Sequence, residues 1–226
     1  MPLGIPRRLR HIFGSNLPRN YSDIVPSYQQ YADLQKTHYL SFESEQPHWQ
    51  EGQRRFIVTQ FCDVPRQSAI LDIACGDGVG LACFRELGFA NVTGVEFNPV
   101  KADRARRHGY PVESTDMHDL SCFADRAFDV IYSSHTIEHA YYPHRVLDGL
   151  MRTLRDDGEL IVVLPYPDMG TENDPAHGAK YELGTNRDDG GAQVTRFFTR
   201  RGLRLTARTF DSFREPEIWL RLARIG

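Results

Sequence analysis

The chain has 226 residues, a formal net charge of −3, 40% apolar residues and 11% aromatics. That length suits one large domain, the composition excludes a disordered or fibrous chain, and the slight negative charge gives no general attraction to nucleic acid. No apolar run reaches the roughly 20 residues of a membrane span, and no apolar stretch of the kind that marks a secretory signal follows the basic N-terminus. The four cysteines form no C-x-x-C pair, so a reduced, cytoplasmic setting is expected.

Residues 1–45 are polar and aromatic-rich, with Tyr21, Tyr28, Tyr31, Tyr39 and Phe42 scattered among Ser, Gln and Asp. They read as an irregular extension with short helices, expected to cover the site of the domain formed by 46–226. Within the extension, Pro6–Phe13 reads as a frayed terminus or a short basic amphipathic turn. A helix is predicted over 47–61, where Trp49, Phe56, Ile57 and Phe61 make an apolar stripe. Then strand-like and helix-like segments alternate. Strands are expected at 69–73, 91–96, 110–113, 128–132 and 159–165, and helices at 79–87, 99–108 and 144–154. A long loop over 166–191 follows, then a helix at 192–201 and two strands at 204–210 and 217–223. This alternation implies βαβ crossovers: a Rossmann-like α/β fold with seven strands, mostly parallel, and helices on both faces. The last two strands are joined by too few residues for a crossover and should form an antiparallel hairpin.

The turn Ile70–Gly80 sits between a strand and a helix. Gly76 and Gly78 allow backbone conformations and close ligand approach that side chains would block. Glu96 follows twenty residues after Gly76 at the end of the next strand, where a carboxylate can accept from both hydroxyls of an adenosine ribose. A dinucleotide turn wants a third glycine for the pyrophosphate, and Leu81 stands there instead. Asp72 and Asp77 flank the turn and suit a cationic adenosine ligand, as S-adenosylmethionine is.

Leu71-Asp72-Ile-Ala-Cys-Gly76-Asp-Gly78 resembles the first motif of class I S-adenosylmethionine-dependent methyltransferases. Gly94-Val-Glu96-Phe-Asn98-Pro99 resembles their second, Phe128-Asp129 through Ser134 the motif of strand four, and Leu154 through Leu160 the turn before strand five. The resemblance extends over about residues 60–225 and is nearest to the type 11 small-molecule and sugar subgroup. Ala74 stands where that family has glycine, and Asp156-Asp157 where it has Pro-Gly.

The resemblance implies S-adenosylmethionine as cofactor and roles for named residues. Asp72 would orient the methionyl ammonium, and Ala74, Gly76 and Gly78 would supply the backbone beneath the cofactor. Glu96 would hold the ribose, with Phe97 or Asn98 beside the adenine. Asp116 and Met117 would meet the adenine, although Asp116 can also cap a helix over 117–122. Ser134 would close the site at the end of strand four.

His135-Thr-Ile-Glu138-His139 matches the H-x-x-E-H pattern of some zinc hydrolases. Its place just past a parallel strand, with Pro143 cutting the segment short, argues against that chemistry, and no metal site is assigned. His135 and His177 are the candidate general bases for a hydroxyl acceptor. Asp174 and His177 offer either ligands for a divalent ion or a capped turn. Ser133-Ser-His-Thr136 replaces the Asn/Asp-Pro-Pro-Tyr motif of amino-methylating DNA enzymes, so a small-molecule or glycan acceptor, methylated at oxygen, is expected. The eight arginines from Arg196 onward form either a basic face or ordinary solvated surfaces.

Overall fold

A computed structural model describes residues 20–38, 46–170 and 174–225. The segment Pro6–Phe13, together with Tyr39 and Phe42, lies outside the described residues. Ile70, Leu71 and Ile73 are fully buried, and their strand β1 (Ala69–Ile73) occupies the middle of the sheet. It is flanked on one side by β2 (Asn91–Val95) and β3 (Val112–Glu113), and on the other by β4 (Phe128–Ser134) and β5 (Leu154–Pro165). All of these run parallel. Beyond β5, strand β7 (Glu217–Arg224) runs antiparallel and pairs in turn with the antiparallel edge strand β6 (Leu203–Asp211). The order is β3-β2-β1-β4-β5-β7-β6, the Rossmann-like arrangement that the alternating pattern predicts.

The central strands β1, β4 and β5 are buried on both faces, and their alternating side chains feed two cores. Ile70, Val130, Ile161 and Val163 point to one face. They meet helices α2 (Pro47–Gln60), α3 (Val79–Glu86) and α4 (Pro99–Arg106) through Phe56, Leu81 and Ala102. Leu71, Ile131, Leu160 and Val162 point to the other. There they meet α5 (Pro143–Thr153) and α7 (Ala192–Thr199) through Val146, Leu150, Val194 and Phe198. Tyr21 and Tyr31 join this second core, Tyr31 from the N-terminal helix α1 (Tyr28–His38).

Three details differ from the sequence reading. The expected loop over 166–191 contains a short helix, α6 (Lys180–Leu183). No helix follows Asp116; residues 117–122 make turns. Strand β5 begins five residues early, because Leu154 already pairs with Phe128 and the register then jumps to Val130↔Glu159. Residues 155–158 bulge out between those two pairings, so the charged turn that reads as a surface loop is spliced into the strand.

The arginine-rich C-terminal region is not one basic face. Arg214 is buried against Glu217, Arg221 bonds Asp63 and Glu159, and Arg224 donates to the carbonyls of Met151 and Leu154. Arg204 and Arg208 are exposed on the edge strand β6, where charge discourages pairing with another chain. No helix among the described residues is long and apolar enough to cross a membrane.

Candidate functional site

The carboxyl ends of β1, β2, β4 and β5 meet where the chain order reverses across the sheet, the position at which open α/β folds bind ligands. A cavity of about 180 Å³ opens there. One wall begins with the turn after β1. Cys75 N–H bonds the Val95 carbonyl at 2.8 Å, and Gly76 N–H bonds Glu96 Oε2 at 3.0 Å, so the turn is fastened to the end of β2. The other oxygen of Glu96 accepts from Asn98 N–H at 2.7 Å. Gly78 takes φ +91°, and a Cβ there would lie 2.9 Å from the Ala105 backbone of α4. The turn therefore needs glycine for both conformation and room. Ala74 is also left-handed, at φ 55°, which explains why glycine suits that position better than a side chain does.

Of the residues singled out from sequence, Ala74, Glu96, Phe97, Asn98, Asp116, Met117 and Ser134 line the cavity. Asp72, Gly76 and Gly78 stand behind its wall. Asp72 is 2% exposed and packs against the first turn of α3: a Cβ on Gly80 would come within 2.6 Å of its Oδ2. Asn98 caps α4, accepting from Val100 N–H at 2.9 Å, and donates to the Lys36 carbonyl of α1. The Lys36 ammonium lies 4.4 Å from the centre of the Phe97 ring. Asp116 accepts from Tyr28 Oη and from His118, both N–H and Nδ1. Burial alone would raise its pKa, but the His118 and Tyr28 bonds outweigh that and hold it below the ordinary value. Asp116 thus fixes the turn that presents Met117, and in place of a helix cap it makes a two-residue Asx turn with the His118 N–H.

The opposite wall carries His135, His139 and His177. His135, at φ 47°, turns the chain sharply out of β4. Its Nε2 lies 3.1 Å from Glu217 Oε2, and Glu217 is held from the other side by the buried Arg214 at 3.1 and 2.7 Å. The Trp49 ring packs edge-on to the imidazole at 4.8 Å, and Arg214 lies 5.0 Å from the centre of that same indole. Burial pulls His135 down to about 4, against the Glu217 bond, so the ring is neutral at pH 7. Burial would raise Glu217, but the His135 and Arg214 bonds bring it down to about 2.

The downstream loop sets the third histidine. Asp168 Oδ2 accepts from His177 Nδ1 at 2.9 Å, and Lys180 Nζ lies 3.7 Å from Asp168 Oδ1. Burial would lower His177; the Asp168 bond and the Glu138 charge push it to about 8. Asp174 Oδ1 accepts Ala176 N–H at 2.8 Å, which makes it the cap of this turn and not a partner of His177. Tyr21 closes the loop from the N-terminal side: its hydroxyl donates to the Pro175 carbonyl, and its ring packs flat against Gly178.

His135-x-x-Glu138-His139 is not a helical ligand pair, since Ile137–His139 form a single 3-10 turn and His135 is taken by Glu217. Sequence reading missed Tyr31, Gln35, Trp49, Gln53 and His139 on the walls, and Asp168 and Glu217 behind them. A signal existed for Glu217, a carboxylate leading directly into the apolar run Ile218 to Leu220. For Asp168 and the α1 residues there was none.

Comparison with known proteins gives this site a class. Residues 71–162 match the family described as "Methyltransferase domain". The chain is 28% identical to a ubiquinone biosynthesis O-methyltransferase of Actinobacillus pleuropneumoniae serotype 7 (strain AP76), over 40% of this chain and 43% of that one. It is 24% identical to a sterol 24-C-methyltransferase of Pneumocystis carinii (strain B80), over 76% of this chain and 48% of that one. The chain thus spans about half the length of the curated relatives it matches. Among solved structures it is similar to the 1,6-didemethyltoxoflavin-N1-methyltransferase of Burkholderia thailandensis, with a TM-score of 0.67 and 16% identity. That match covers 88% of this chain and 91% of that one. Over residues 71–162 the chain thus matches a methyltransferase domain, and the cofactor of such domains is S-adenosylmethionine.

Proposed function

We propose that the protein transfers the methyl group of S-adenosylmethionine to a hydroxyl oxygen of a small-molecule or sugar-type acceptor. The relatives include O-, C- and N-methyltransferases by name, so the family does not supply the acceptor atom. The observation that carries the choice of oxygen is the shared cavity. Ala74, Glu96 and Met117 form its donor wall, and His135 and His177 face them from the other.

On this reading Glu96 takes the ribose hydroxyls, Met117 packs on the adenine, and Phe97 and Asn98 flank it. Asp72 orients the ammonium through the first turn of α3, and the backbone of Ala74, Gly76 and Gly78 forms the floor. Ser134 lies where the donor and acceptor ends meet. The acceptor oxygen attacks the methyl carbon, the carbon–sulfur bond breaks, and its electron pair returns to sulfur. The hydroxyl proton passes to His135, which is neutral at pH 7, or to His177 once that ring has lost its second proton above about pH 8. The domain supplies alignment, a dry cavity and proton removal, because the sulfonium already activates the carbon.

The test is a screen of small hydroxylated acceptors with labelled methyl donor, followed by His135→Ala and His177→Ala on the accepted compound. Each variant is expected to slow turnover at least tenfold while S-adenosylhomocysteine binding stays within a few-fold. Methylation at nitrogen or carbon only, or unchanged turnover in both variants, rejects the oxygen reading.

A further inference from the structure

Two residues of the pocket wall and one behind it form a constellation that the methyl-transfer reading leaves unused. Glu138, His139 and His177 bring one ligand atom each to within 4.8 Å of one another. A tetrahedral ion with bonds of about 2.1 Å has ligands roughly 3.4 Å apart, so the three groups need to close by about an ångström. His139 Nε2 and Glu138 Oε1 are already at 3.8 Å.

The tautomers are fixed from outside the cluster. His139 Nδ1 lies 2.6 Å from the Ala176 carbonyl, which can only accept, so Nδ1 carries the proton and Nε2 the lone pair. His177 Nδ1 donates to Asp168 Oδ2, so the nitrogen that a cation can take, on loss of its proton, is Nε2. An imidazole backed by a carboxylate or a carbonyl on its far nitrogen is how metal-binding histidines are oriented.

Glu138 gives an independent sign. Its side chain is fully buried, and neither oxygen has a hydrogen-bond partner among the described residues. The nearest groups that can carry positive charge are His135 Nδ1 at 3.4 Å and His139 Nε2 at 3.8 Å, with the His177 ring within 4.8 Å and none of the three in hydrogen-bond contact. A carboxylate taken out of water without hydrogen bonds is costly unless a cation meets it. The cluster is also braced, since Ala179 N–H bonds the Glu138 carbonyl at 3.1 Å and ties the loop of His177 to the turn of Glu138.

We infer that Glu138, His139 and His177 bind one divalent first-row transition cation, such as Zn²⁺, Mn²⁺ or Co²⁺, at the acceptor end of the cavity. Two imidazoles and one carboxylate favour these ions over Mg²⁺ or Ca²⁺, which prefer oxygen ligands throughout. Three protein ligands leave open positions for an acceptor hydroxyl and a neighbouring oxygen. The cation would then lower the pKa of that hydroxyl, whose proton would pass to solvent or to the neutral His135, His177 being occupied as a ligand, before the oxygen attacks the methyl carbon. The inference rests on the reading above only for this last use, as the cation site itself stands on the side chains.

The test uses the full chain without a histidine tag, stripped with chelator and titrated with CoCl₂, followed by visible absorption and calorimetry. S-adenosylhomocysteine binding is measured on every sample, so failure of the cofactor site is read separately. One Co²⁺ per chain is expected, with d–d bands and displacement by Zn²⁺. His139→Ala, His177→Ala and the isosteric Glu138→Gln should each weaken Co²⁺ at least 100-fold, and Asp168→Asn about 10- to 100-fold through the orientation of His177. The surface variant His144→Ala should change nothing. Wild-type protein that binds S-adenosylhomocysteine but no Co²⁺ or Zn²⁺ tighter than about 100 μM overturns the site. So does Co²⁺ binding that survives Glu138→Gln and Asp168→Asn in folded protein.

Discussion

The two walls of the cavity are made in different ways. The donor wall is mostly backbone: Gly76 N–H and Asn98 N–H converge on Glu96, and Cys75 N–H reaches back to Val95. These contacts join residues at most twenty apart, and glycines supply the conformations. The acceptor wall is mostly side chains, and its wiring is distant. His135 meets Glu217 across 82 positions, Tyr21 meets Pro175 across 154, and His139 meets Ala176 across 37. A wall of local backbone bonds can be kept while the other changes its buried carboxylates and histidines, and with them its acceptor.

The largest effect is expected where the acceptor wall depends on one group. Glu217→Gln leaves Arg214 buried without its counter-charge and should cost about 3–5 kcal/mol in urea denaturation. A loss under about 1 kcal/mol would mean that this wall is not held by the pair.

Next comes acid. Glu217 and His135 both have folded values, about 2 and about 4, below those of the unfolded chain, roughly 4.3 and 6.5. The unfolded chain therefore takes up protons first as pH falls, and stability is lost on acidification. The loss should begin near pH 6.5 with His135 and continue towards pH 2 with Glu217. These two groups should account for about 2–4 kcal/mol of loss by pH 4. In denaturant titrations of the whole chain that loss is offset by Glu138, which burial raises to about 8 and which therefore works the other way; the His135→Ala variant isolates the histidine part. A His135 ring that titrates near 6.5 by NMR would refute its neutral, buried state.

On the donor wall, Glu96→Ala removes the acceptor of two buried N–H groups and should weaken S-adenosylhomocysteine at least tenfold, about 1.4 kcal/mol or more, by calorimetry. Cofactor affinity unchanged in that variant would separate the turn from the ribose site. The smallest effect is a gain. Ala74→Gly relieves a left-handed alanine and should stabilise the fold by about 0.5–1 kcal/mol. A lower melting temperature would show that the methyl group of Ala74 is packing usefully.

This contrast also explains what could be read from the residues alone. The mostly parallel sheet and its antiparallel last pair followed from alternating periodicities and connection length, and the donor wall from a glycine turn and a carboxylate at a fixed offset, because those signals are local. Asn98 and Asp116 were legible as pocket residues, yet their polar atoms serve α4, Lys36, Tyr28 and His118, partners that only the tertiary structure selects. His135 and His177 were legible as histidines past strand ends, but not the carboxylates behind them. Glu138 and His139 carried a ligand-like spacing whose third member, His177, comes from a different loop.

Strand β7, inserted antiparallel between β5 and β6, brings Glu217 to His135. On the ribosome this means that β1 to β5 and the glycine turn can all have emerged while the sheet still lacks its seventh strand. Until residue 217 is made, His135 Nε2 lacks its Glu217 partner and the apolar edge of β5 is unpaired. The growing chain therefore passes through a stage in which one half of its pocket is finished and the other is an open sheet edge, the point at which a folding helper would be of most use.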